Sequence, residues 1–405
     1  MRKFKYIIIG AGPSGLTLAH SFRQKGIPTE SILVIEKEPI AGGLCRSQFV
    51  DGAPLDIGGG HFLDVKRQEV LKFLFHFMPK EEWQLHHRIS KINLQGIMID
   101  YPLEANLWQL PESLQVDYLE SIAKAGSVRN APMPESFVDW IDWKLGSRIS
   151  QDYMLPYNSK IWSMDLDQLG TYWLYKLPAV SFRQTLQSCL ERKPQGDIPA
   201  HGTFLYPKTH GYGEVWRRMG IALGDQLITG CKITNIDLER KTINNQFQAE
   251  IIINTAPWPD WMKFSEIPRD IKSQISKLHH ASINVDYQPE TLPTPAHWIY
   301  EPDPNLAHHR KLLRHNFCTG SRGYWTETNA RRSASTTSHF RHHNSYAYPI
   351  NTREKLIAIK TITEWAKTRG VIGAGRWGTW EHMNSDIAVH EAMLLADKLI
   401  AENTQ

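Results

Sequence analysis

The chain has 405 residues, 41% hydrophobic and 22% charged, with a formal net charge of +4. That length holds two or three domains, or one discontinuous domain with insertions. The small positive excess calls for no nucleic-acid partner and permits an anionic small molecule. Its four cysteines, Cys45, Cys189, Cys231 and Cys318, form no CxxC pair, which argues against a zinc site or a disulfide framework and fits a reducing cytoplasm.

The N-terminal "MRKFKYIIIG" puts basic residues before an apolar run, but the run stops at a glycine after four residues. That is too short for a secretory h-region. No stretch reaches the roughly 18 apolar residues of a membrane span. "YIII" reads instead as a strand buried on both faces. Gly10, Gly12 and Gly15 follow at GxGxxG spacing. "LTLAHSFRQKG" then places Leu16, Ala19 and Phe22 on one helical face, with Gly26 as the stop signal.

A second strand, "SILVIEK", ends in Glu36 and Lys37. The parts have separate tasks. Gly10 makes the tight turn, and Gly12 lets backbone approach a pyrophosphate. Gly15 packs helix on strand, Pro13 and Ser14 open the helix, and Glu36 accepts from ribose hydroxyls. The expectation is a dinucleotide site.

A second glycine loop comes next: Gly42, Gly43, Leu44 and Arg46, a hairpin turning at Asp51-Gly52, then Asp56, Gly59, Gly60 and His61. A simple NAD-binding domain does not need this loop. The segment resembles the flavin amine oxidase superfamily, in which such glycines line FAD. That resemblance implies an α/β fold with a Rossmann-like FAD-binding domain of the GR2/amine-oxidase type. "NTAP" at 254–257 resembles the superfamily's strand end near the adenine. "GAGRWG" at 373–378 resembles its C-terminal clamp, so that Gly375, Arg376 and Asn384 join the cofactor set. With no cysteine after Cys318, the implied FAD is non-covalent.

Within the superfamily the closest resemblance is to UDP-galactopyranose mutases of the eukaryotic type. It rests on "HHRISKINLQGIMIDYPLEANLWQLPE" (86–112), "YMLPYNSKIWSMDLDQLGTYWL" (153–174), "GTFLYPKTHGYGEVWRRM" (202–219) and "YAYPINTREKL" (346–356), in family order. It implies an enzyme that isomerises a nucleotide-activated sugar between pyranose and furanose through a covalent adduct with reduced flavin N5. The implied catalytic residues are His61, Tyr348 and Lys176. The implied substrate residues are Tyr101, Glu104, Asn158, Trp162, Lys176, Tyr348 and His382. NAD(P)H would serve as an external electron donor.

Several positions depart from the family pattern. Lys176 and Gln288 stand where arginines would grip a diphosphate and His382 where a tyrosine would, while Glu104 replaces a sugar-proximal glutamine and adds a negative charge. Losing guanidinium forks is not conservative, so the expected substrate is a nucleotide sugar other than UDP-galactopyranose, or another glycosyl-like substrate. Two alternatives stay open: an FAD-dependent oxidoreductase of the amine oxidase or protoporphyrinogen oxidase kind acting on a small molecule, and a homologue that binds without turnover. Asn158 reads equally as a helix cap or turn residue.

Phe137, Ile141, Leu145 and Ile149 recur every four residues and predict an amphipathic helix. The expected division is an FAD-binding domain from 1–80, 202–260 and 346–405, a helical insertion at 105–201, and a substrate-facing antiparallel sheet from 81–104 and 261–345. The polar run 319–347 reads as a surface loop, in which Arg322, Arg331 or Arg332 would replace the missing arginines. The histidine pairs 86–87, 279–280, 308–309 and 342–343 lack metal-ligand spacing and read as solvated loops, with no metal expected.

Overall fold

The computed structural model describes residues 1–174, 180–196, 202–332 and 338–402. Two seven-stranded sheets organise it. In the first, the strand Arg2–Ile9 runs parallel to Ile32–Ile35 on one side and Phe247–Asn254 on the other, and the short strands Leu227–Ile228 and Val371–Gly373 extend the parallel set. Ile7 lies opposite both Leu33 and Ile252. Alternate side chains of the first strand enter different cores: Tyr6 and Ile8 pack with Leu16, Phe22 and Val389, whereas Ile7 and Ile9 pack with Ala358, Ile362 and Trp377. A strand covered on both faces has no polar side to show, which is why "YIII" is continuous rather than alternating.

The helix Pro13–Gln24 leaves this strand directly and packs beside the C-terminal helix Ser385–Glu402, the two joined at the far end by a Lys25–Asp397 ion pair. The chain's two ends therefore meet on one face of the first sheet. NAD-type phosphate turns sit at the carboxyl ends of such strands, and both glycine turns lie there.

The second sheet runs in the order Phe340–Pro349, His280–Gln288, Tyr324–Asn329, Arg310–Leu312, Trp298–Tyr300, Ser90–Leu94, Ile97–Asp100. All its pairs are antiparallel except Trp298–Tyr300 with Ser90–Leu94. This corrects the reading of 319–347 as a loop, because strands occupy 324–329 and 340–349. Their polarity misled: Thr326, Glu327, Thr328, Asn329 and Asn344 are buried, and Glu327 is neutralised by partners from elsewhere in the chain. Two bonds tie this sheet to the loop after Asp56: Asn344 donates to Ile57 O (2.6 Å), and Gly60 N donates to Glu327 Oε1 (2.9 Å).

The helical insertion has its own core. Phe137, Ile141, Leu145 and Ile149 are buried on the helix Phe137–Ile149, in one core with Leu103, Leu107 and Tyr118 and the strand residues Ile92 and Ile99. Each contributes about 1.5–3 kcal/mol of burial. Gly146 interrupts this helix at φ +78, where a Cβ would lie 2.6 Å from Ser121 O, so the chain bends there toward the helix Leu155–Trp162. Among the described residues, no helix is long and apolar enough to cross a membrane.

Candidate active site

The dinucleotide end is built from backbone. Gly10 takes φ +101 and Gly43 φ +55, and a Cβ on Gly43 would lie 3.1 Å from Gly12 Cα. The two loops thus face each other closely, held by Gly42 N donating to Ala11 O (2.8 Å). Gly15 has no room for a side chain, since its Cβ would lie 2.0 Å from Gly10 O. The helix Pro13–Gln24 has no capping side chain and no acid in its first turn, so its N-terminal N–H groups and positive dipole end are left for an anion.

Glu36 is buried at the end of its strand, where Oε2 accepts from Ala11 N (2.7 Å) and Oε1 from Glu38 N (2.9 Å). It braces the glycine turn and retains lone pairs for a ribose. Lys37 beside it is exposed. Arg46 donates to Gly43 O (2.9 Å) and pairs with Glu38 (3.1 Å), which fixes the Gly42–Leu44 turn. Gly375 (φ +65) sits against the first turn: its Cβ would lie 2.4 Å from Ser14 Oγ, and Ser14 donates to Ala388 O (3.4 Å). These residues fit a dinucleotide, with glycine wherever a side chain would fill the cradle.

The other end is a cavity of about 360 Å³ whose lining includes Gly60, His61, Arg376, Asn384, Tyr348 and His382. Tyr101, Glu104, Asn158 and Trp162 line it as well, so this group of sequence-predicted residues converges from distant parts of the chain. Lys176 lies outside the described residues.

His61 Nδ1 is 3.1 Å from Gly59 O; a carbonyl only accepts, so Nδ1 carries the proton and Nε2 holds the lone pair. Burial, helped by the charge of Arg376, lowers its pKa to about 4, leaving a neutral imidazole at neutral pH. Arg376 donates to Ala347 O (2.9 Å) and Met383 O (2.7 Å), locking the C-terminal turn to the second sheet. Tyr348, pushed up to about 12 by burial and by Glu327, stays a phenol. His382 meets its ring edge-on at 5.2 Å.

Asn158 has its amide engaged within its own helix. It donates to Met154 O (2.8 Å) and accepts from Trp162 Nε1 (3.0 Å). Its role here is to aim Trp162, whose ring lies 6.4 Å from that of Tyr348. Tyr101 is likewise committed to neighbours: the Arg88 guanidinium lies between the Tyr101 ring (4.6 Å) and the Trp298 ring (4.7 Å), and donates to Tyr300 Oη (3.1 Å).

Sequence reasoning misplaced the cation. Gln288, the expected arginine position, ends its strand opposite Tyr324 and does not line the cavity. The loop arginines are not there either: Arg322 pairs with Asp51 (2.8 Å) and Arg331 donates to Ser163 O (3.3 Å). Arg310 lines the cavity instead. Its Nη2 lies 2.5 Å from Glu327 Oε2 and 3.3 Å from Tyr348 Oη. Burial would raise the carboxyl of Glu327, but the charge of Arg310 and the hydrogen bond from His309 outweigh it and hold it at about 2.

His309 is buried, with Nε2 3.5 Å from Glu327. The histidine pairs are therefore not uniformly solvated loops; His86, His87, His280, His342 and His343 lie in strands. The available signal for Arg310 was its place within "RKLLRHNF", a run whose alternation points Arg310 and Leu312 to one face. Among the described residues, no group of three or more His, Cys, Asp or Glu could hold a metal ion.

Comparison with known proteins bears on both ends. Residues 8–77 match the NAD(P)-binding Rossmann-like domain. A crystal structure of reduced UDP-galactopyranose mutase superposes at a TM-score of 0.88 over 99% of this chain and 94% of that one, at 21% identity. The chain thus shares the overall fold of that mutase structure. Cyclohexylamine oxidase from Brevibacterium oxydans shares it at a TM-score of 0.69, with 14% identity over 99% of this chain and all of that one. In sequence, the UDP-galactopyranose mutase of Mycoplasma pneumoniae is 31% identical over 107 residues, 26% of this chain and only 24% of that protein.

Proposed function

We propose that the chain is an FAD-dependent enzyme acting on a nucleotide-activated sugar, as a mutase that interconverts ring forms. The observation carrying this reading is the convergence on one cavity of the Gly60–His61 turn, the C-terminal Arg376 turn and the buried Arg310–Tyr348 pair of the second sheet. A bound flavin supplies a nucleophilic ring nitrogen when reduced and a hydride acceptor when oxidised.

The chain's own residues hold and orient. The first helix's N-terminus and the facing glycine loops receive the pyrophosphate, Glu36 the ribose, and Gly60, His61 and Arg376 the isoalloxazine end. Arg310 and the Tyr348 hydroxyl donate toward the oxygens of a departing diphosphate, where negative charge grows during reaction. Trp162, aimed by Asn158, and the Arg88–Tyr101 stack wall the cavity and exclude water. Neutral His61 accepts a hydrogen bond at Nε2 without bringing a second cation next to Arg376.

One observation favours the second reading, a flavin oxidoreductase: Arg310 is already neutralised by Glu327, which leaves less free positive charge than a diphosphate would draw on. Anaerobic mixing of FAD-loaded protein with a sugar-nucleotide panel separates the two. The mutase reading predicts turnover only after dithionite reduction, with isomeric sugars as products. Bleaching of the oxidised flavin by substrate contradicts it and supports the oxidoreductase.

A further inference from the structure

The cavity lining holds two ionic side chains whose charged ends have no ion-pair or hydrogen-bond partner side chain among the described residues. Glu104, in the single turn Leu103–Ala105, and Lys144, on the helix Phe137–Ile149, both line the main cavity. Both also line a neighbouring cavity of about 340 Å³, so they form the neck between the two. Among the described residues, the Glu104 carboxylate meets only its own backbone amide, and the Lys144 ammonium is in no ion pair or hydrogen bond. Burial raises the pKa of Glu104 while Lys144 opposes the rise. A carboxylate held in such a place gains most from a ligand that brings N–H donors to it.

The walls near the neck are aromatic. Tyr153 and Tyr157 lie 5.7 Å apart, and Trp140 stands one turn before Lys144 on the same helix face. These surfaces suit a planar heterocycle. Building on the nucleotide-sugar reading above, we infer that Glu104 and Lys144 read the nucleobase, and that the base they select is guanine.

The chemistry distinguishes the bases. A carboxylate only accepts, with two oxygens side by side, and an ammonium only donates. Guanine presents a carbonyl oxygen, a ring N–H and an amino N–H in a row: the carbonyl meets Lys144 and the two N–H groups meet the two oxygens of Glu104. Uracil presents a single N–H between two carbonyls, so one oxygen of Glu104 would face a carbonyl oxygen. The second cavity beyond the neck leaves room for the larger purine.

The test is calorimetric titration of GDP and of UDP into the FAD-loaded protein at pH 8, with Glu104→Gln and Lys144→Met in parallel. GDP is expected to bind at least about tenfold more tightly than UDP, a bidentate contact being worth that much discrimination. Glu104→Gln, whose amide offers one donor and one acceptor, is expected to remove or invert that preference. Lys144→Met is expected to weaken both nucleotides. Wild-type protein that binds UDP as well as GDP or better overturns the base assignment and leaves the nucleotide-sugar reading standing, as does a preference unchanged in Glu104→Gln. Protein that keeps its flavin and binds neither nucleotide at millimolar concentration overturns both.

Discussion

At the glycine-turn end the surface is backbone: Gly12 and Gly43 face each other, Gly10 and Gly375 have no space for a Cβ, and charge comes from a helix terminus. At the cavity end the surface is side chain, contributed from the 60s, 80s, 100s, 140s, 150s, 310s, 340s and 380s of the chain. A backbone site has to be written contiguously, because the glycines must occupy particular turns. A side-chain site has only to fold into place. The two ends should therefore fail differently when perturbed.

The largest effect is expected at the seam between the chain's termini. Gly375→Val places a Cβ at φ +65 within 2.4 Å of Ser14 Oγ. Left-handed backbone alone costs about 1–3 kcal/mol, and the clash adds to it. Retained FAD, measured by visible absorbance, should fall at least about a hundredfold in affinity. Near-normal FAD content in this variant would break the claim that the two turns share one ligand.

The cavity should fail through charge. Arg310→Met strands Glu327 in a fully buried position, and losing one partner of such a pair costs about 3–5 kcal/mol. The double variant Arg310→Met/Glu327→Gln should recover much of that stability in thermal melts, although not activity. If the single and double variants are equally destabilised, the pair does not brace the cavity. Tyr348→Phe keeps the ring and loses the hydroxyl; kcat should drop about a hundredfold with KM little changed. A change in KM alone would make the hydroxyl a binding group only.

Acid should loosen both ends together. His20, His61 and His297 are each lowered to about 4 from 6.5, mainly by burial. The unfolded chain thus binds more protons between those values, and stability is lost as pH falls from about 6.5 toward 4, on the order of 3 kcal/mol per group. Asp56, raised to about 7 by burial, works in the opposite sense over the same window, so the net loss is smaller than the histidines alone give. A melting temperature that is flat or rises from pH 6.5 to 4 contradicts this. The smallest effect is the control: Gly52→Ala also sits at positive φ (+74) but has nothing within 4 Å of its Cβ. It should cost about 1 kcal/mol and leave FAD binding intact.

The same contrast explains what the sequence disclosed. The parallel strand, the first helix and both glycine turns were readable because burial on both faces and forbidden side chains leave composition signatures. The amphipathic helix at 137–149 was readable from its four-residue spacing. The strands at 324–329 and 340–349 were hidden, because their polar residues are paired only in the fold: Arg310 on the preceding strand neutralises Glu327, and distant Ile57 tethers Asn344. Arg310 was missed because nothing within "HHRKLL" tells that its guanidinium meets a carboxylate on the next strand, 17 residues on.

The central claim is that one FAD lies between turns from opposite ends of the chain, with its reactive end at His61. Reconstituting the purified protein with FAD, removing the excess and reading the visible spectrum tests it most directly. About one equivalent of yellow flavin per chain, released free by acid denaturation, is the predicted result. A colourless protein after reconstitution would contradict it.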